Sequence, residues 1–201
     1  MIGGYDGTTL ASVEIMNTDG SNCKPIPDLP MERNYAVSSL INNKIVICGG
    51  KQNKDNYFDE CLILNGDSWK HFATMKSKRS EASLVQIDES TIWISGGIEK
   101  HYYSAAMKIS EFINKDGQVT KGPELEQKMF GHCSVKTSTK HTSITGGVDS
   151  SDNTLSNTYV YYQNNSGSVT FLHEGPKLNE QCQRLFACQD QDDLGNQIVE
   201  N

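Results

Sequence analysis

The five histidines, His71, His101, His132, His141 and His173, are the first candidates for proton transfer or metal ligation, and their spacing supports neither. None belongs to a His-x-His or Glu-x-x-His group, the spacings that set two ligands on one face of a strand or helix. His132 and Cys133 are adjacent, but successive strand residues point to opposite faces. The chain has no phosphate-binding glycine loop, no nucleophile elbow and no defensible pair of catalytic carboxylates. An enzyme is therefore not expected, and no cofactor or metal is assigned.

The six cysteines, Cys23, Cys48, Cys61, Cys133, Cys182 and Cys188, contain no CxxC and no paired Cys/His spacing, which argues against zinc. Cys48 and Cys61 bracket a Gly-Gly pair and could face each other across a hairpin. Two readings stay open for them: small buried apolar residues, or a disulfide of an oxidising compartment. Asn164-Asn165-Ser166 is a glycosylation triplet, a pattern that also arises by chance. The net charge of −7 disfavours nucleic acid and anionic membrane surfaces as partners. No apolar run approaches the ~18–20 residues that span a bilayer. Met1-Ile2-Gly3-Gly4 lacks the basic and apolar regions of a signal peptide, and it opens in the middle of a repeat. The expectation is an internal or truncated start, so the compartment stays open.

The repeat organises everything else. Adjacent glycines stand at Gly3-Gly4, Gly49-Gly50, Gly96-Gly97 and Gly146-Gly147, at intervals of 46, 47 and 50 residues. Periods of this size mark repeat architectures whose units bury a core only against their neighbours. A β-rich run precedes the second, third and fourth pairs: Ile45–Cys48, Thr91–Ser95 and Thr142–Thr145. Sixteen or seventeen residues before the first glycine another strand starts, at Arg33-Asn34-Tyr35, Arg79-Ser80-Glu81 and Phe130-Gly131-His132, with a further copy at Arg184-Leu185-Phe186. Asn42-Asn43 and Asp88-Glu89-Ser90 supply the turns between the two strands. A polar loop follows each glycine pair. Third strands are expected at Ser12–Met16, Glu60–Leu64, Ala105–Ser110 and Thr158–Tyr162, and fourth strands around Cys23, Trp69, Val119 and Val169–Phe171. The reading is an all-β chain of four-stranded antiparallel meanders: complete units at 31–76, 77–125 and 128–178, with partial units at 1–30 and 179–201.

These features resemble the kelch repeat of β-propellers. The diglycines carry the resemblance, with the strand before them, Arg33, Arg79 and Trp69. The departures are Cys23, Val119 and Phe171 where the tryptophan is expected, and Phe130 where the third arginine is expected. The resemblance implies a propeller fragment, since three complete blades do not make the usual ring of about six. It implies that the glycines and arginines are structural, and that Trp69 and Trp93 pack. It further implies that one end of the molecule presents two residue sets to a protein or peptide partner. Just after the glycines these are Tyr5, Asp6, Lys51, Asn53, Glu99, Lys100 and Asp149. Two residues after the arginine position they are Tyr35, Glu81, His132 and Phe186. The expected role is a protein-interaction module, as in the substrate-binding part of a ubiquitin-ligase adaptor with an upstream BTB domain. The alternatives are a secreted kelch protein or a fragment of a propeller enzyme such as a copper oxidase. Unpaired strand edges at either end would favour self-association.

Overall fold

The computed structural model describes residues 1–15 and 24–178. The described chain is all-β, with one 3-10 turn at Tyr103–Ala105 and no α-helix. The expected copy at 184–188, the strand at Cys23, and Phe186 among the candidate residues lie outside the described residues.

Among the described residues four antiparallel sheets of three or four strands follow one another along the chain, with one further two-stranded sheet. The first contains β1 (Ile2–Tyr5), β2 (Thr9–Ile15) and β3 (Lys24–Pro25), in that order. The second contains β4 (Val37–Ile41), β5 (Lys44–Cys48), β6 (Glu60–Asn65) and β7 (Ser68–Thr74), again in chain order. The third is formed by β8 (Ser83–Asp88), β9 (Thr91–Ser95), β10 (Ser110–Asn114) and β11 (Val119–Lys121). After β12 (Met129–Phe130), the fourth sheet takes β13 (Cys133–Lys136) and β14 (His141–Thr145). The chain then runs through β15 (Val148–Asp149), and the fourth sheet ends with β16 (Thr158–Gln163) and β17 (Val169–Glu174). β12 and β15 pair with each other. Among the described residues no sheet closes into a barrel.

In the complete sheets the first and second strands, and the third and fourth, are joined by short turns, while the longer loops that begin at the diglycines join the second strand to the third. Asn42 and Asn43 both take positive φ, +48° and +59°, the geometry a tight β4–β5 hairpin needs. In the second and third sheets the second strand is the most buried. β9 reads Thr91-Ile92-Trp93-Ile94-Ser95, and its last four side chains are all buried, because both of its faces meet a neighbouring sheet. Some expected boundaries shift, and the first strands forecast from Arg33 and Arg79 begin at Val37 and Ser83. The strand forecast at Ala105–Ser110 begins only at Ser110. Residues before it are drawn away into isolated bridges, Ile98 with Ala106 and Met107 with Met129.

The cores lie between consecutive sheets. Val13 and Leu29 of the first unit pack with Ile47, Leu62 and Trp69 of the second. The Trp69 indole also donates to the Pro27 carbonyl at 2.8 Å. Cys48, Cys61 and Met75 join Ile92, Ile94 and Ile113 of the third. Trp93 of the third sheet meets Tyr161 of the fourth edge to face, with ring centres 5.1 Å apart. Both tryptophans are thus packing residues that join one sheet to the next.

Candidate functional site

The arginines and glycines build the platform first. Arg33 donates from Nη1 to the Gly49 carbonyl at 3.2 Å and from Nη2 to Glu60 Oε1 at 2.6 Å. Arg79 repeats the pattern, from Nη1 to the Gly96 carbonyl at 3.0 Å and from Nη2 to Glu111 Oε2 at 2.7 Å. Both guanidinium side chains are fully buried. In the opposite direction the second glycine of one unit donates to the strand entry of the next. Gly4 donates to the Arg33 carbonyl, Gly50 to Arg79 and Gly97 to Met129, at 2.9, 2.8 and 2.9 Å.

That ladder corrects the alignment of the fourth unit. Met129, not Phe130, occupies the arginine position. Gly131, with φ +60°, stands where Tyr35 and Glu81 stand, each at φ +53°. His132 stands where the other units have Ala36 and Ala82. A side chain on Gly147 would meet the His132 Cβ at 2.8 Å, as one on Gly50 would meet Ala36 at 2.9 Å. His132 is therefore not a loop residue. It is buried, 2% exposed, and its Nε2 lies 3.1 Å from Ser95 Oγ. Burial pushes its pKa down to about 3, so the ring is neutral at ordinary pH. The spacing held the signal: Met129 precedes Gly146 by 17 residues, as Arg79 precedes Gly96.

Three of the sequence-predicted residues converge on the platform. Lys51 bridges Asn34 and Tyr57 through its backbone. Its ammonium lies 4.8 Å from the Tyr35 ring centre and 5.6 Å from that of Tyr57. Glu81 Oε1 is 4.0 Å from the same nitrogen. Tyr35 and Glu81 are also joined through their backbones, Glu81 N donating to Tyr35 O at 3.0 Å, and Gly131 N donates to Glu81 O at 2.7 Å. Tyr57 is the member that sequence reading missed. It is 3% exposed, and burial, with Glu81 and Asp55 nearby, raises its phenol pKa. Its one sequence signal is its place at the far end of the loop that Lys51 opens. The cluster is a cation held between two aromatic faces and one carboxylate, a rigid polar centre.

The other candidates stand apart on their own loops. Tyr5 ends β1 and is 65% exposed. Asp6 Oδ1 accepts from Thr8 N and Oγ1 at 3.3 and 3.2 Å. Asn53 Oδ1 accepts from the amides of Asp55 and Asn56 at 2.9 and 3.0 Å, so it shapes its loop. Glu99 and Lys100 are exposed. Asp149 accepts from Ser151 N at 2.7 Å and from Asn153 N at 2.9 Å. Burial pushes the Asp149 carboxyl up, but its hydrogen bonds from Asn153 and Ser151 outweigh this and hold it below the usual value. The loops after the second, third and fourth diglycines share an apolar floor of Tyr57, Ile98, Ala106, Phe130 and Val148. Tyr103 stacks on Phe130 with centroids 5.9 Å apart, and Tyr102 beside it is 70% exposed. Among the described residues no three His, Cys, Asp or Glu side chains gather as a metal site.

Cys48 and Cys61 are directly opposed across β5 and β6 and form a disulfide. No helix is long and apolar enough to cross a membrane. No family model matches the chain, and no curated protein matches it in sequence. Among solved structures it is similar to that of YjhT, with a TM-score of 0.71 and 12% identity, over 89% of this chain and 64% of that one. At that identity the likeness concerns the fold alone. The chain spans just under two thirds of YjhT.

Proposed function

We propose that the chain is an arc of a kelch-type β-propeller and acts as a protein-interaction module, with its partner seated on the loops that follow the diglycines. The observation that carries this reading is the loop face itself. Exposed Tyr102 and Tyr103, at 70% and 45%, stand with Glu99 and Lys100 on a loop built over an apolar floor, and Tyr5, 65% exposed, ends β1 just after the first diglycine. Aromatic anchors with mixed charges on a rigid support suit a protein or peptide partner. The repeated arginine-to-glycine brace supports the kelch reading.

A displayed peptide library panned on the purified chain tests this. Enriched peptides should cross-link to Lys51, Lys54 or Lys100, and Tyr102→Ser should weaken them at least tenfold. Cross-links confined to the opposite, hairpin-turn end would overturn the reading. The Cys48–Cys61 disulfide favours the extracellular version over the ubiquitin-ligase adaptor, because stable disulfides belong to oxidising compartments. A thiol count on native protein separates the two: free thiols at both positions would remove the extracellular version.

A further inference from the structure

Asn164-Asn165-Ser166 is the single Asn-x-Ser/Thr triplet in the sequence, and it forms the turn between β16 and β17. The same turn occurs in the third sheet at Asn114-Lys115-Asp116-Gly117, where Ile113 pairs with Val119 as Gln163 pairs with Val169 here. The asparagine has a structural reason to be there. Asn114 Oδ1 accepts from Asp116 N and Gln118 N, both at 3.0 Å, and Asn164 Oδ1 accepts from Ser166 N at 3.0 Å and Ser168 N at 2.9 Å. The turn does not require the serine, since the third sheet places Asp116 at that position. Ser166 adds a bond that aspartate does not make: its hydroxyl donates to Asn164 Oδ1 at 2.7 Å. All three residues of the triplet are exposed, and Asn164 Nδ2 donates to nothing among the described residues. Lys140 Nζ holds the turn through Asn165 Oδ1 at 2.9 Å, leaving Asn164 at its outer rim.

Two further observations agree. The Cys48–Cys61 disulfide belongs to an oxidising compartment, where this modification is also made. And β16 runs away from the diglycine end, from Thr158 beside Thr145 to Tyr162 beside His141, so its turn is at the far end of the sheet. A bulky group there leaves the diglycine loops clear.

We propose that Asn164 is an N-glycosylation site, its side-chain amide presented outward by the β16–β17 turn and its oxygen held by Ser166. The donor is an oligosaccharide linked to a lipid diphosphate. Asn164 Nδ2 bonds to the anomeric carbon, the bond from that carbon to the diphosphate oxygen breaks, and the lipid diphosphate leaves with the electron pair. The amide nitrogen gives up one proton. The inference rests on the extracellular version of the proposed function, not on partner binding.

The test is the full chain expressed in insect cells behind a cleavable secretion leader, analysed by intact mass and by peptide mapping after peptide N-glycosidase. The expected result is one N-linked glycan, removed by the enzyme with Asn164 converted to Asp. It should vanish in N164Q and S166D and persist in S166T. S166D places the aspartate of the third sheet's turn at that position and leaves Asn164 intact, so the variant should still fold and melt cooperatively. Should secretion fail, translation with microsomes reads the same mass shift. An unmodified chain, or a glycan that survives in N164Q, overturns the proposal. A glycosylated chain that selects no peptide removes only the interaction reading. An unmodified chain that selects peptides removes only this inference.

Discussion

Arg79 and Glu111 form a buried ion pair, Nη2 to Oε2 at 2.7 Å, with side-chain exposures of 0% and 3%. The pair does more than neutralise charge. Arg79 also donates to the Gly96 carbonyl, and Glu111 Oε1 accepts from Lys76 N at 2.9 Å. Strand entry, diglycine and third strand are therefore tied at one point. Burial lowers the Arg79 pKa, and Glu111 opposes that shift by charge and hydrogen bond. Removing one partner leaves an uncompensated buried charge. Glu111→Ala should cost ~3–5 kcal/mol in urea unfolding, and Arg79→Met a similar amount. A loss under ~1 kcal/mol for both would contradict the bracing role.

Gly50 is a second fixed point. It takes φ +88°, and a Cβ there would meet Asn34 O at 2.8 Å and Ala36 Cβ at 2.9 Å. Gly50→Val should lower stability by several kcal/mol, on the order of the largest single-site effects. Gly66 is the control. Its φ is +62° but nothing lies within 4 Å of its Cβ position, so Gly66→Ala should cost only the ~1–2 kcal/mol of a left-handed backbone. Equal melting midpoints for the two variants would refute the crowding argument.

His132 predicts acid sensitivity. Burial holds its folded pKa near 3, below the ordinary 6.5 of the unfolded chain. The neutral ring is then favoured by folding, a stabilisation present above pH 6.5 and lost as pH falls toward 3. Each pH unit in that window removes about 1.4 kcal/mol. From pH 6.5 to pH 5 the loss from this residue should be roughly 2 kcal/mol. His132→Ala, which installs the residue found at positions 36 and 82, should flatten that slope in denaturant titrations at the two pH values. An unchanged slope would show that the histidine is not buried as described.

The Cys48–Cys61 disulfide closes a segment with a sequence separation of 13. A loop of that length predicts a loss of about 3 kcal/mol on reduction, through the entropy of the unfolded chain. Thermal melts of a Cys48→Ala/Cys61→Ala variant beside the wild type, both without reductant, measure it.

Among the described residues β1 pairs only with β2, while its counterparts β5, β9 and β14 each pair on both sides. An unpaired strand edge recruits another chain. Static light scattering of the 201-residue chain should show association that rises with concentration. A concentration-independent monomer with a cooperative melt would mean that edge is satisfied within one molecule.

The sequence pattern located most of the strands and turns, because each depends on local chemistry: β-rich runs, Asn-Asn and Asp-rich turns, and glycines that tolerate positive φ. The structural roles of Arg33 and Arg79 were legible for the same reason, since they recur in phase with the glycines, while those of Trp69 and Trp93 followed from the strands they occupy. Tertiary structure decided what depends on a neighbour. The fourth unit slips by one residue relative to its sequence alignment, because the Met129 carbonyl, not that of Phe130, receives the Gly97 amide. That slip sends His132 into the core and gives the left-handed position to Gly131. Lys51, Tyr35 and Glu81 come together only because Gly50 binds the carbonyl of Arg79 in the next unit, and Tyr57 joins them by closing the loop that Lys51 opens. The Cys48–Cys61 bond, open in the sequence, follows from a register that sets the two residues directly opposite each other. Such pairings link positions far apart along the chain, and the local pattern does not record which of them will meet.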